Sequence, residues 1–239
     1  MSLDVKLTDY LKNSIELKKD SFKPSDKLLS ERKLCEMFNC SRTVVRKSLK
    51  TLEFEGWINK DNEGNYVVAK QRFRIELNSF RSYSDFFKEK KVQNQKKIVS
   101  FSKVLANRFV SKKLNVPIGT ECFCLRLVRE IEEEPLIIET VYILESLCPS
   151  LIEQDIVDKS LYSIFKEKYE LYVDRAVQEI NIKLADNVEA ALLKIEENTP
   201  VIKSCQVVYS TTNNIIEYRE NVMLMERFEF VKCLIALEL

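Results

Sequence analysis

Four cationic side chains, Arg42, Arg46, Lys47 and Lys50, fall between Cys40 and Leu52, a stretch without an acidic residue. A helix carrying them presents uncompensated positive charge, which suits contact with phosphates. Further along, Arg129 and Glu139 are the single charges on two runs that otherwise read as apolar strand faces. Burying either alone is unfavourable, so the pair forms an internal ion pair across a hairpin or orients a polar ligand in a pocket. The 239-residue sequence has no histidine. That removes the usual general base and the commonest zinc partner, and with them Ser-His, Cys-His and HExxH chemistry. Seven cysteines (Cys35, Cys40, Cys122, Cys124, Cys148, Cys205 and Cys233) show no CxxC spacing and read as free thiols. With three glycines, the chain has no glycine-rich phosphate loop. No catalytic residue, metal site or cofactor is expected.

The basic stretch needs elements to hold it. Ser30 suits an N-cap ahead of Leu34, Met37 and Phe38, and that helix should end near Asn39. Ser41 offers a second N-cap. Val44, Val45, Ser48, Leu49 and Leu52 then recur at three- and four-residue spacing, which predicts a helix with one apolar stripe. Gly56 sits at a C-cap position. Trp57, Ile58 and Lys60 read as a strand, Asn62, Glu63 and Gly64 as a turn, and Tyr66 to Ala69 as the return strand. Upstream, residues 6–20 place Leu7, Tyr10, Leu11, Ser14, Ile15 and Leu17 at near-helical spacing. Helix, corner, basic helix and β-hairpin in that order make a winged helix-turn-helix.

At this point the chain resembles the GntR family of bacterial transcription regulators. The family pattern LPSERELAxxFxVSRxTVRxALxxLExEG-[L/W]-I is matched by LLSERKLCEMFNCSRTVVRKSLKTLEFEGWI, within the first 70 residues. The resemblance implies DNA contacts at Arg32, Arg42, Thr43 and Arg46, with Gly64 at the wing tip. Ser41 and Lys47 join them on the recognition helix. Backbone and hydroxyl donors at the helix N-terminus suit a phosphate, and an arginine can reach a guanine edge bidentately. Two departures stand out. Leu29 replaces the proline before SER, and the family wing GRGTFV reads NEGNYV, so that Glu63 would repel a phosphate.

The length fits two domains: a winged helix over 1–70 and an effector-binding and dimerisation domain over 80–239, joined by an extended linker, 71–79. Residues 1–70 carry 14 Lys/Arg against 11 Asp/Glu, and the remainder 24 against 26. No apolar segment suggests a membrane span and no leader suggests export, so the expected location is cytoplasmic. Lys88 to Lys97 reads as a solvated helix end and loop. A strand follows through Phe101, then a helix over 105–114 and a loop at Pro117 and Gly119. A strand from Cys122 to Ile131 turns through Glu132 to Glu134 into another from Leu136 to Leu144. A helix begins near Ser160 and a strand runs around Val177 to Leu184. Asp186 caps a helix through Ile195, and two last strands flank a type I′ turn at Asn213-Asn214. Hairpins mixed with helices predict an α+β domain with a mainly antiparallel sheet.

Residues 80–230 resemble the UTRA effector-binding domain of the HutC-like subfamily, whose fold is akin to chorismate lyase. REIEEEPLIIETVYILESLCPSL matches RxxxxxPxxxExxYxxxxxxPxL, SLYSIF matches SLYxxL, and IIEYRE matches PxEYxx. The resemblance implies pocket positions at Ser84, Arg129, Glu139, Ser160, Tyr162 and Glu217. Leu127 stands where the family often has a second arginine, and Met223 to Phe228 replace its YRGDRY. The reading that follows is a regulator, a repressor by family habit. As a homodimer it would hold two recognition helices in successive major grooves of a near-palindromic operator, under control of a small metabolite, with sugars and sugar phosphates the family's commonest type. Two rivals are an enzyme of chorismate lyase-like fold and a DNA-binding adaptor that has lost ligand sensing.

Overall fold

The computed structural model describes residues 2–17, 22, 24–61, 63–70, 72–78 and 80–234. The chain forms two compact units, Met1–Arg72 and Phe73–Leu239.

The first unit packs α1 (Leu3–Glu16), α2 (Glu31–Phe38) and α3 (Arg42–Phe54) against a hairpin of β1 (Ile58–Lys60) and β2 (Tyr66–Val68). Leu7, Leu11, Leu34, Val45, Leu49, Leu52, Ile58 and Val68 form its core. Ser48, the polar member of the α3 stripe, is buried and donates to the carbonyls of Asp4 (2.9 Å) and Val44 (3.2 Å). Helix α1 starts earlier than the expected residue 6. Leu17 lies beyond its end and is exposed, and Lys18 to Asp20 lie outside the described residues, as does Asn62 of the expected wing turn. Asn39 closes α2 in the left-handed region (φ 46°), where the Cys40 N–H donates to the Cys35 carbonyl.

In the second unit the segment after Arg72 is not a free-standing linker. Phe73–Glu76 forms β3, which pairs in parallel with the last strand, β10 (Phe228–Val231), because Phe73 has a core to join: its ring meets Phe86, Phe87 and Phe228. Next comes α4 (Tyr83–Glu89). The strand β4 (Asn94–Leu105) begins inside the basic run expected to be a solvated loop; there Lys97 pairs with Glu130 and Lys96 caps two carbonyls. The chain continues through α5 (Arg108–Leu114), β5 (Glu121–Ile131), β6 (Glu134–Leu144), α6 (Leu161–Tyr169), β7 (Val173–Leu184), α7 (Asn187–Leu193), β8 (Pro200–Ser210) and β9 (Ile215–Leu224). The six long strands form one antiparallel sheet in the order β4-β5-β6-β9-β8-β7.

That order reflects a repeat. Two β-α-β-β halves, β4-α5-β5-β6 and β7-α7-β8-β9, meet at the β6–β9 pair, and their helix connections match bond for bond at a shift of 79 residues. The Ala106 N–H donates to the Thr120 carbonyl (2.8 Å) as Ala185 does to Thr199 (3.0 Å), and Gly119 donates back to Ala106 as Asn198 does to Ala185. Asn107 and Asp186 are the corresponding N-caps, and Gly119 and Asn198 both take positive φ (86° and 63°). Asp186 and Glu189 complete a capping box.

The hairpin turns differ from expectation in one place. A type I′ turn needs two residues with positive φ. Asn213 has one (64°) while Asn214 does not, and the loop is the four residues 211–214, with the Asn213 N–H on the Ser210 carbonyl. Such a pair of angles occurs instead at Glu132 and Glu133 (52° and 70°), the two residues between β5 and β6.

Candidate nucleic-acid interface and effector pocket

In the first unit Ser41 caps α3, its hydroxyl accepting from the Val44 N–H at 3.4 Å. Arg42 and Thr43 therefore sit exposed at the helix N-terminus, where backbone N–H groups and the helix dipole favour an anion. The structure brings Ser41, Arg42, Thr43, Arg46 and Lys47 onto one helix and places Arg32 on α2. The basic side chains are not all free. Arg46 Nε lies 3.0 Å from Glu31 Oε2, Lys47 Nζ 2.6 Å from Asp4 Oδ2, and Arg32 Nε 3.2 Å from Glu36 Oε1. The Lys47 ammonium, with a hydrogen bond from Ser2, holds the Asp4 carboxyl down at about 2. Arg42 and Lys50 have no carboxylate partner among the described residues. At the wing, Gly64 takes φ 81° and its N–H closes on the Asp61 carbonyl. Glu63 is held by Lys27 at 2.9 Å, so the wing's acidic departure is partly neutralised within the unit.

In the second unit the period-two rule puts Leu127, Arg129, Glu139, Glu217 and Arg219 on one face of the sheet. Helices α4 and α6 cover it: the Tyr83 hydroxyl donates to Met223 Sδ, and Ile164 and Phe165 pack on Phe123, Leu125 and Val141. Glu139 sits in register with Leu127 on one side and Asn221 on the other. Its Oε1 accepts from Arg129 Nε (2.7 Å) and lies 2.6 Å from Arg129 Nη2, while Oε2 accepts from Arg219 Nη1 (2.8 Å). Arg219 Nε donates to Glu217 Oε1 (3.1 Å), to which the Tyr162 hydroxyl also donates (2.7 Å). Arg129 Nη1 reaches Asn94 Oδ1 at 2.9 Å and Ser84 Oγ at 3.4 Å. The expected Arg129–Glu139 ion pair forms, but as part of a chain of charges running to Tyr162.

Burial by itself would raise the Glu139 carboxyl, yet the two guanidiniums outweigh it and hold the group below its ordinary value. Desolvation and the hydrogen bond to Glu217 push the Tyr162 hydroxyl well up. Lys96, donating to the carbonyls of Ile156 and Lys159 (2.7 and 2.6 Å), is brought down to about 8 by burial and by Arg129. Ser84, Arg129, Glu139, Ser160, Tyr162 and Arg219 surround a cavity of about 20 Å³, room for one water. Tyr83, Tyr162 and Arg219 also wall a cleft of about 640 Å³ that continues over Phe80, Gln178 and Gln206. Ser160 contributes as the N-cap of α6, accepting from the Ser163 N–H, and Glu217 backs the site through Tyr162 and Arg219 without lining either space. Arg219, Lys96 and Asn94 escaped the sequence reading. The signal for Arg219 was present: it stands two residues beyond Glu217 on an apolar strand, as Arg129 stands two beyond Leu127. Lys96, inside a run of lysines, offered none.

Among the described residues no cluster of three metal-ligating side chains occurs, and no helix is long and apolar enough to cross a membrane.

Comparison with known proteins fits both units. Residues 5–67 match the family described as bacterial regulatory proteins, gntR family, and residues 90–229 match the UTRA domain. The chain is 21% identical over 215 residues to the mannosyl-D-glycerate transport/metabolism system repressor MngR of Escherichia coli, spanning 90% of this chain and 89% of that protein. It is 23% identical over 216 residues to the transcriptional repressor NagR of Bacillus subtilis, spanning 90% and 88%. The crystal structure of PhnF from Mycobacterium smegmatis superposes with a TM-score of 0.78 at 25% identity, covering 96% of this chain and 99% of that one. These relatives favour a regulator over the chorismate lyase-like enzyme. The UTRA match spans more than half of the chain, and the gntR match falls on the winged helix, so the chain belongs to the GntR family of bacterial regulatory proteins, in its UTRA-bearing, HutC-like branch, and is a DNA-binding transcription regulator.

Proposed function

We propose that the protein is a cytoplasmic, homodimeric repressor, not an enzyme. Its α3 enters the major groove of a near-palindromic operator, and the second unit senses a small metabolite of the sugar or sugar-phosphate type. The observation that carries the DNA half is the Ser41-capped N-terminus of α3, with Arg42 exposed beside Thr43 and without a carboxylate partner among the described residues. Arg32, Ser41, Thr43, Lys47 and Gly64 position the unit on phosphates, while Arg42 and Arg46 reach base edges. The buried charge chain Arg129–Glu139–Arg219–Glu217 carries the sensing half. Such a chain is costly unless something uses it, and it borders a cleft of metabolite size. Ser84, Ser160 and Tyr162 complete that site. The name of MngR, the repressor of a mannosyl-D-glycerate transport/metabolism system, supports the effector class.

A ligand favouring one arrangement of the dimer must weaken the operator, and the operator must weaken the ligand by the same factor, about 1–3 kcal/mol for typical regulators. The test is selection of duplexes from a randomised pool by the purified full chain. The selected duplex is then titrated with and without sugars and sugar phosphates. Enrichment of a two-fold symmetric site whose binding one metabolite releases is the expected result. A pool that never enriches sinks the proposal.

A further inference from the structure

The two halves of the second unit's repeat are not equally covered. Beside α7, Ala190 and Leu193 belong to a core that runs on into Phe73, Phe86, Phe87 and Phe228, with Ile195 packed against it. Leu114 and Val116 hold the equivalent positions beside α5, but among the described residues their cluster draws only on α5, its flanks and the sheet. Val116, Leu144, Val207 and Ile215 stay half-buried there and line a groove of about 890 Å³, a volume that suits a small organic molecule. Phe109, 49% exposed and edge-on to Tyr218 at 5.6 Å, adds an aromatic wall, as does Tyr209. The groove carries charge of one sign. None of its described lining is acidic, while Lys112 and Lys113 both reach it. Lys113 is matched by Glu179 at 3.7 Å, and Glu145, between the lining residues Leu144 and Leu147, is taken by Lys103 at 2.9 Å. Lys112 is exposed and has no carboxylate partner among the described residues. A further cation stands at the rim: the Arg175 guanidinium lies 3.9 Å from the Tyr209 ring centroid and donates to Asn213 Oδ1.

We propose that this groove is a second ligand site that takes an amphiphilic acyl or aryl carboxylate, its apolar body on Val116, Leu144, Val207 and Ile215 and its carboxylate at Lys112. The inference goes beyond metabolite sensing at the charge chain and does not depend on it. Contiguous apolar surface left open marks a place where another molecule binds. A sugar would set its hydroxyls against that apolar lining and lose their water without return, and a neutral apolar molecule would leave Lys112 and Arg175 unanswered. The groove also reaches the opposite face of the sheet. Tyr218, on which Phe109 packs, stands on β9 between Glu217 and Arg219, so an occupant that moves Phe109 acts on the strand carrying the charge chain.

The test is isothermal titration calorimetry of the full chain with octanoate and 3-phenylpropionate, each set against its alcohol, 1-octanol or 3-phenyl-1-propanol, at one ionic strength. Two variants are compared with wild type. Lys112→Glu reverses the unmatched cation, and Asn214→Trp puts bulk over the groove from the loop between β8 and β9. Both positions are exposed, so the ligand-free melting temperatures should stay at the wild-type value. At least one carboxylate should bind wild type at one site per chain, and its alcohol should bind about fivefold more weakly. Lys112→Glu should weaken the carboxylate about tenfold or more, and Asn214→Trp should abolish its binding. The proposal is overturned if neither carboxylate binds wild type, if an alcohol binds as tightly as its carboxylate, or if either variant keeps wild-type affinity. Sedimentation of the same samples examines the other occupant. Loss of wild-type self-association in either variant would make the groove a contact between copies of the chain, and the ligand site would fall.

Discussion

Arg46 on the recognition helix is tied to Glu31 on the preceding helix, with Nε 3.1 Å from Oε1 and 3.0 Å from Oε2. The pair is largely exposed and contributes little to stability. Its consequence is for binding, because Arg46, proposed to reach a base, must first leave a carboxylate. Glu31→Gln should therefore tighten binding to any duplex and steepen its salt dependence by about one counterion, without a change in melting temperature. Arg46→Ala should weaken the selected operator by about 1–3 kcal/mol while leaving non-specific binding closer to wild type. Equal losses on specific and random duplexes would instead make Arg46 a phosphate contact.

Ser41 has a smaller and separable role. Its hydroxyl caps α3 at 3.4 Å, a long bond on an exposed helix end, so Ser41→Ala should cost about 0.5–1 kcal/mol of stability. Urea denaturation of the first unit is readable alone, because the single tryptophan, Trp57, lies in it. Ser41→Asp restores the cap but places a negative charge where a phosphate would sit. Recovered stability with lost DNA binding in that variant is the expected split. Loss of both would mean that the aspartate fails to cap.

How far the residues foretold these sites follows from the range of the interactions. Caps and apolar periods are local, so Ser30, Ser41 and Asp186 could be read as helix starts and Arg129 and Glu139 as a buried pair. Long-range pairing was not legible. Phe73 to Glu76 has a strand's alternation but nothing local announces β10 as its parallel partner, and Lys96 looks like any solvated lysine until β4 carries it to the carbonyls of Ile156 and Lys159. Asn213-Asn214 is a good type I′ pair by composition. The four-residue loop, held by Ser210, overrides it, while Glu132 and Glu133 take the left-handed angles because a two-residue connection favours a primed turn whose twist matches the strands.

The charge chain gives a stability prediction. Glu139→Ala leaves two buried guanidiniums facing each other across the gap and should destabilise the second unit by about 3–5 kcal/mol, whereas Glu139→Gln, which keeps an acceptor, should cost less. With its carboxyl held below the ordinary value, the Glu139 contribution is fully present above the unfolded carboxylate range and disappears as pH falls through the depressed value. Wild type should thus lose stability in acid more steeply than Glu139→Gln, followed by circular dichroism. Parallel acid profiles for the two proteins would show that Glu139 is not the titrating group.

Lys96 gives the same sign of pH dependence in a more alkaline range. Burial and Arg129 bring it down to about 8 in the folded protein, well below an unfolded lysine, so between those values the unfolded chain binds the extra proton. Stability must then rise with pH above about 8, since deprotonation relieves a charge the fold accommodates poorly. The same loss of charge removes a cation from the lining of the small cavity, so a sugar-phosphate effector should bind more weakly above pH 8 than below it. Lys96→Met should abolish both trends, leaving ligand-free stability flat and effector affinity low across that range. A wild-type affinity that stays constant from pH 7 to pH 9 would place the phosphate away from Lys96.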